Sequence, residues 1–227
     1  MLRHGNIEIM QLTKSIPWDF QYFVFVNGKY VNQRGFNMQK YDEPKVEFLD
    51  KDLFAITVLS SSGTEIISYS TGLYEIKDKL KEILRYEAKQ ERTGWGAVFD
   101  EKFKSQKQYS NGVLKLTYDI AVSMNDNEYE SKVKDKLSNK PVINSRKIIV
   151  LNRSADGFNV DKSQSNFTLG DIAKLDWGGH SDYYDVFKTE FENLAKQDAK
   201  TQEWFSFFRN EVMDEQQKNL EQATEQK

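Results

Sequence analysis

Glu75-Ile76-Lys77 has the form of the acidic–x–lysine half of a metal-dependent nuclease motif, and Asp50 or Asp52 stands upstream as its acidic partner. That chemistry needs two carboxylates to hold Mg²⁺ and a lysine to orient the attacking water, usually from strand edges. Leu73, Ile76, Leu80, Ile83 and Leu84, however, recur at helical spacing, which predicts a helix over about 73–89. Glu75 and Lys77 would then point to different faces of it, and Glu75 with Lys79 would form an i,i+4 pair on a solvated surface. The expectation is no catalytic residue here and no metal site.

Other candidates have simpler readings. Asn152-Arg-Ser154-Ala-Asp156-Gly157 resembles the start of a calcium loop, yet Ser163 stands where the bidentate Glu belongs. Asp156-Gly157 reads as a turn. His180, after Trp177-Gly178-Gly179 and before Ser181-Asp182, could act as a base or a pH sensor, but the Ser and Asp read as helix caps. Gly94-x-Gly96 lacks the other residues of a phosphate loop.

Two further groups could bind macromolecules. Lys102, Phe103, Lys104, Lys107 and Tyr109 interleave bases and rings as single-strand binders do. Lys132, Lys134, Lys136 and Lys140 form a second basic run, diluted by Glu130 and Asp135. Near the C-terminus, Trp204, Phe205, Phe207, Phe208 and Val212 crowd more apolar surface onto a helix than one face buries, which suits an interface anchor.

The elements that must position these residues divide along the chain. Asn27-Gly28 and Asn111-Gly112 each suit a type I′ hairpin turn, and Phe54–Leu59 and Thr64–Tyr69 flank a third. Leu114, Leu116, Tyr118, Ile120, Val122 and Met124 alternate with polar or small residues, as in an antiparallel strand with one buried face. Lys147–Leu151 is a more continuously apolar strand. Thr168-Leu-Gly-Asp171 matches a capping box flanked by Phe167 and Ile172 as a hydrophobic staple. A long helix follows, with Phe187, Phe191 and Leu194 on its stripe.

Composition sets the outer limits. The 227 residues carry 32 basic and 35 acidic side chains, net −3, so phosphate binding needs a local patch. Aromatic residues make up 13% and offset a hydrophobic share of only 38%. Cysteine is absent and His numbers two, which excludes disulfides, thiolate sites and a cysteine nucleophile. No apolar run suffices to span a bilayer, and the N-terminus reads as lacking a signal peptide, so a cytoplasmic protein or a particle assembled there is expected.

The expected fold is α+β: a mainly antiparallel, hairpin-rich sheet over 1–160 with the one inserted helix, then helices over 161–213 packed on the sheet or on a partner. Residues 214–227 form a polar tail. The expected function is a non-enzymatic structural, assembly or protein-binding component of a larger complex, of virion, secretion or defence type, without cofactors. Its partner would be itself or another subunit. The alternative is a nucleic-acid-binding protein, with weak metal-dependent nuclease activity as a variant.

Overall fold

The computed structural model describes residues 1–13, 19–37, 44–63, 65–77, 79–93, 99–126, 130, 140, 142–175, 180–196, 199–200, 202–203, 205–206, 209–210 and 214, except the side chains at 13, 19, 36, 37, 180 and 181. It is sheet-rich α+β, and the chain meanders: within each of two sheets, every strand pairs with the next one in sequence. The first sheet holds β1 (Leu2–His4), β2 (Ile7–Thr13), β3 (Asp19–Val26) and β4 (Lys29–Asn37) in that order. The second holds β5 (Lys45–Asp50), β6 (Leu53–Ser62), β7 (Ile66–Ile76), β8 (Leu80–Arg92), β9 (Phe99–Ser110), β10 (Val113–Met124), β11 (Val142–Ser154) and β12 (Gly157–Val160), likewise in order. Helices α1 (Leu169–Leu175) and α2 (His180–Ala195) follow. Among the described residues no helix is long and apolar enough to cross a membrane.

The chain divides into two compact units, the first comprising Met1–Arg92, Phe103–Tyr118 and Ile148–Asn166. The second comprises Thr93–Lys102, Asp119–Lys147 and Phe167–Lys227. Local chemistry explains the hairpins. Asn27 and Asn111 hold φ of 51°, and Gly28 and Gly112 hold 71° and 77°, the left-handed pair that a type I′ turn requires. On β10, Leu114 to Met124 all sit at 4% exposure or less on alternate positions, as the alternation predicts.

The helix expected over 73–89 does not exist; that stretch is the end of β7 and most of β8. The reason is visible in the register. β8 pairs β7 with shifts between Tyr69 and Ser70 and between Leu73 and Tyr74. Each shift adds one residue to β8, a β-bulge. Lys81, Leu84, Tyr86 and Lys89 therefore share a face at spacings of three, two and three. Of the stripe that reads as helical, Leu73 and Leu84 pair on one face, Ile76 and Leu80 on the other, and Ile83 is the extra residue of a bulge.

In the first unit, the core between the two sheets is built from Ile7, Ile9, Phe20, Tyr22 and Val24 against Phe54, Ile56, Val58 and Tyr74. The second sheet is also rolled. Strands lie about 4.8 Å apart, so β5 and β9, four places apart, would be about 19 Å from each other in a flat sheet. Yet Lys107 of β9 lies 2.6 Å from Glu47 of β5. The face opposite the first sheet is thus the inside of a trough.

In the second unit, Phe99 packs on Tyr183 and Phe191 with centroids 4.9 and 5.7 Å away, and the Tyr183 hydroxyl donates to Glu101 at 2.7 Å. Lys147 lies 2.6 Å from Glu190 and close to the rings of Phe167 and Phe187. The capping box forms as read: Thr168 N donates to Asp171 Oδ2 at 2.9 Å, and Asp171 N donates to Thr168 Oγ1 at 3.1 Å. Both staple residues, Phe167 and Ile172, are buried. Replacing Thr168 by Ala should cost about 1 kcal/mol in urea unfolding; an unchanged midpoint would mean the cap contributes nothing.

Candidate functional site

The acidic residues of the nuclease-like pattern do converge. Asp50 and Asp52 flank the β5–β6 turn, and Ile76 N donates to Asp52 O at 2.9 Å, which brings the end of β7 alongside. Because Glu75 and Lys77 lie two residues apart at a strand end, not in a helix, they meet: Lys77 Nζ is 2.9 Å from Glu75 Oε2. Arg153 of β11 then enters between the carboxylates. Its Nη1 and Nη2 reach Asp52 Oδ1 and Oδ2 at 3.0 and 2.8 Å, and Nη2 reaches Glu75 Oε1 at 2.5 Å.

This bidentate fork is the geometry that binds a guanidinium to a carboxylate most strongly. It also fills the position from which a divalent cation would bridge the two acids. The hydrogen bond from Arg153 holds the Asp52 carboxyl below its usual range. Burial pushes Glu75 upward, but hydrogen bonds from Arg153 and Lys77 overcome it, and its carboxyl ends below the usual range too. Among the described residues no group of three or more His, Cys, Asp or Glu is placed to hold a metal ion. The cluster is a charge-compensated network that ties β11 to the β5–β7 end of the trough.

The residues Lys102 to Tyr109 lie on β9, and strand alternation splits them. Phe103 is 1% exposed and packs edge-on to Tyr118, while Lys102 and Lys104 are exposed. Tyr109 packs edge-on to Phe158. Lys107 faces the trough. Lys132, Lys134 and Lys136 lie outside the described residues; Lys140 pairs with Asp126 at 2.5 Å.

A cleft of about 600 Å³ opens inside the trough, and strand register builds it. Lys45 is opposite Thr57, Thr57 is opposite Thr71, and Thr71 is opposite Tyr86. Directly opposed residues share a face, so one transverse row crosses four strands. The Thr57 and Thr71 hydroxyls lie 2.8 Å apart. Burial pushes the Tyr86 phenol up to about 12, so it remains a neutral hydroxyl on that polar floor.

Beyond the row, Tyr69 is opposite Lys89, and Lys89 Nζ lies 5.5 Å from the centre of its ring. The bulge at Ala88 turns Lys89 onto the same face as Tyr86; with strict alternation it would point the other way. Lys104 and Lys107 of β9 also border the cleft, so four lysines line it, with Glu47 the acidic residue among the described lining residues. Pairing Lys107 with Glu47 spans the cleft from β9 to β5.

Of the C-terminal ring group, Trp204, Phe207, Phe208 and Val212 lie outside the described residues, as does Trp177. Phe205 is buried at 9% exposure and lies 6.2 Å from the ring of Tyr184. His180 opens α2, with its side chain among those not described. Comparison with known proteins gave no matching family model, no matching curated protein and no matching solved structure.

Proposed function

We propose that this chain is a non-enzymatic binding protein that takes a phosphate-bearing polyanion into the cleft of its rolled sheet. One observation carries the reading: four lysines line a cleft whose floor bears the hydroxyls of Thr57, Thr71 and Tyr86, with Glu47 as the carboxylate among the described lining residues. The cleft volume of about 600 Å³ falls within the range typical of ligand sites. A net charge of −3 over the whole chain makes this a local positive field, the kind that concentrates and orients an anion.

The reading takes precedence over docking through the C-terminal rings because Phe205, the member of that group among the described residues, is an internal contact with Tyr184. It also sets aside the nuclease variant, since Arg153 fills the space between Asp52 and Glu75.

The test is a salt titration of binding to labelled oligonucleotides by fluorescence anisotropy. About three phosphate contacts should give a linear fall of log K with log[salt] and a slope of about −2 for a single strand. Binding absent at low salt, or independent of salt, would remove the reading.

A further inference from the structure

Resting on that reading of the cleft, we propose that its ligand is a single nucleic-acid strand, with a base laid against Tyr69 beside Lys89 and a phosphate displacing Glu47 from Lys107. Each nucleotide of a single strand offers one flat base and one phosphate. Tyr69 and Lys89 are opposed on neighbouring strands with the ammonium over the ring, 5.5 Å from its centre. A base that stacks on that face takes the place of the cation and leaves it beside the stack to meet a phosphate. Base stacking on such rings tolerates any sequence, because every base has a π-face. A duplex keeps those faces stacked inside, and a base-free polyanion has none.

The floor adds donors and acceptors. Thr57, Thr71 and Tyr86 bring neutral hydroxyls to one row, and these can meet sugar oxygens or base edges. The lysines hold the backbone on either side of it.

Glu47 gives the site a built-in competitor. Its Oε2 lies 2.6 Å from Lys107 Nζ, and its side chain is 56% exposed while that of Lys107 is 22% exposed. A carboxylate oxygen at that distance occupies the position a phosphate oxygen would take on the same ammonium. Because Glu47 is mostly in solvent, it can swing away when a phosphate arrives. The ion pair that spans the cleft is therefore also the contact that entry of the strand must break.

Anisotropy on the full chain with a labelled oligothymidylate 12-mer and an abasic 12-mer of equal phosphate count separates the parts of this proposal. The abasic strand should bind about tenfold more weakly, the range expected for loss of one stacked base. Tyr69→Leu should reduce oligothymidylate binding to the abasic level, and Tyr69→Phe, which keeps the ring, should rescue it. Glu47→Gln should tighten both strands by about threefold or more, because the phosphate then meets Lys107 without first displacing a carboxylate.

Equal affinity for the two strands, or tighter binding of a blunt duplex or of inorganic polyphosphate, would overturn the single-strand assignment and leave the anion cleft standing. An unchanged or weaker Glu47→Gln would overturn the role of Glu47. No binding of any of these anions by either protein would remove the cleft reading itself. The strand comparison alters only the ligand, so it holds even if Tyr69→Leu fails to fold.

Discussion

Replacing Arg153 by Met should lower the stability of the chain by about 3–5 kcal/mol at neutral pH, read as a fall in the urea midpoint. The substitution leaves the volume nearly intact and removes only the charge and its hydrogen bonds. Glu75, whose side chain is 7% exposed, would keep Lys77 but lose its contact with Arg153, and Asp52 would lose both of its bonds to the guanidinium. The buried Glu75 carboxylate, left with Lys77 but without the guanidinium, accounts for most of the loss. Replacing the whole group, as Arg153→Met with Asp52→Asn and Glu75→Gln, should recover part of it, because neutral replacements of a buried ion cluster are often tolerated.

The pH dependence has a defined sign. Arg153 holds Asp52 and Glu75 below their usual 3.8 and 4.5. Their contribution is therefore present above those values and is lost as pH falls through the lower folded-state ones. In Arg153→Met, the burial of Glu75 acts with less opposition and its carboxyl takes up a proton at higher pH, which relieves that variant. The gap between the two proteins should narrow as pH drops below about 4.5. A gap that stays constant down to pH 3 would show that the guanidinium acts by packing and not by charge.

Reversing two lysines of the cleft, Lys45→Glu with Lys89→Glu, should weaken oligonucleotide binding by on the order of a hundredfold at low salt and flatten the salt slope. Lys45 is exposed and Lys89 is half-buried over the Tyr69 ring. Stability read from the unfolding midpoint should therefore fall by about 0.5 kcal/mol for the first and by about 1 kcal/mol for the second, which also loses its contact with the ring. The matched control is Lys29→Glu with Lys115→Glu, at two exposed sites outside the cleft lining. This control carries the same change in net charge. If both pairs weaken binding equally, the effect belongs to overall charge and the cleft has no special part in it.

How much of this was legible depended on whether the signal is local. The Asn-Gly turns, the alternation of β10 and the Thr168–Asp171 cap are each written within a dozen residues, and each takes its expected form. β8 was not legible, because two bulges turned an alternating pattern into one with steps of two and three. That same irregularity sends Lys89 into the cleft. The feature that hid the strand is therefore part of what builds the site. The cleft residues come from five strands and are brought together by register, which no window of sequence contains. A pointer was present in Tyr86 and Lys89, two polar-tipped residues at a spacing that fits neither face of a regular strand. The convergence of Asp52, Glu75 and Lys77 was suggested by their types, but Arg153 stands 101 residues from Asp52, and nothing in its surroundings marks it as their partner.

The order of the strands has a consequence for how the protein comes into being. In both sheets each strand lies beside the one made just before it, so pairing can follow synthesis step by step, with short loops to close. Each new hairpin covers the open edge left by the last, which limits the time that edge is exposed to other chains. Arg153 is the exception. It joins β11 to a turn made a hundred residues earlier, so the trough cannot be locked until most of the chain has emerged. The contact whose loss is expected to be most damaging in the finished protein can therefore form only after β5 to β11 have all been made.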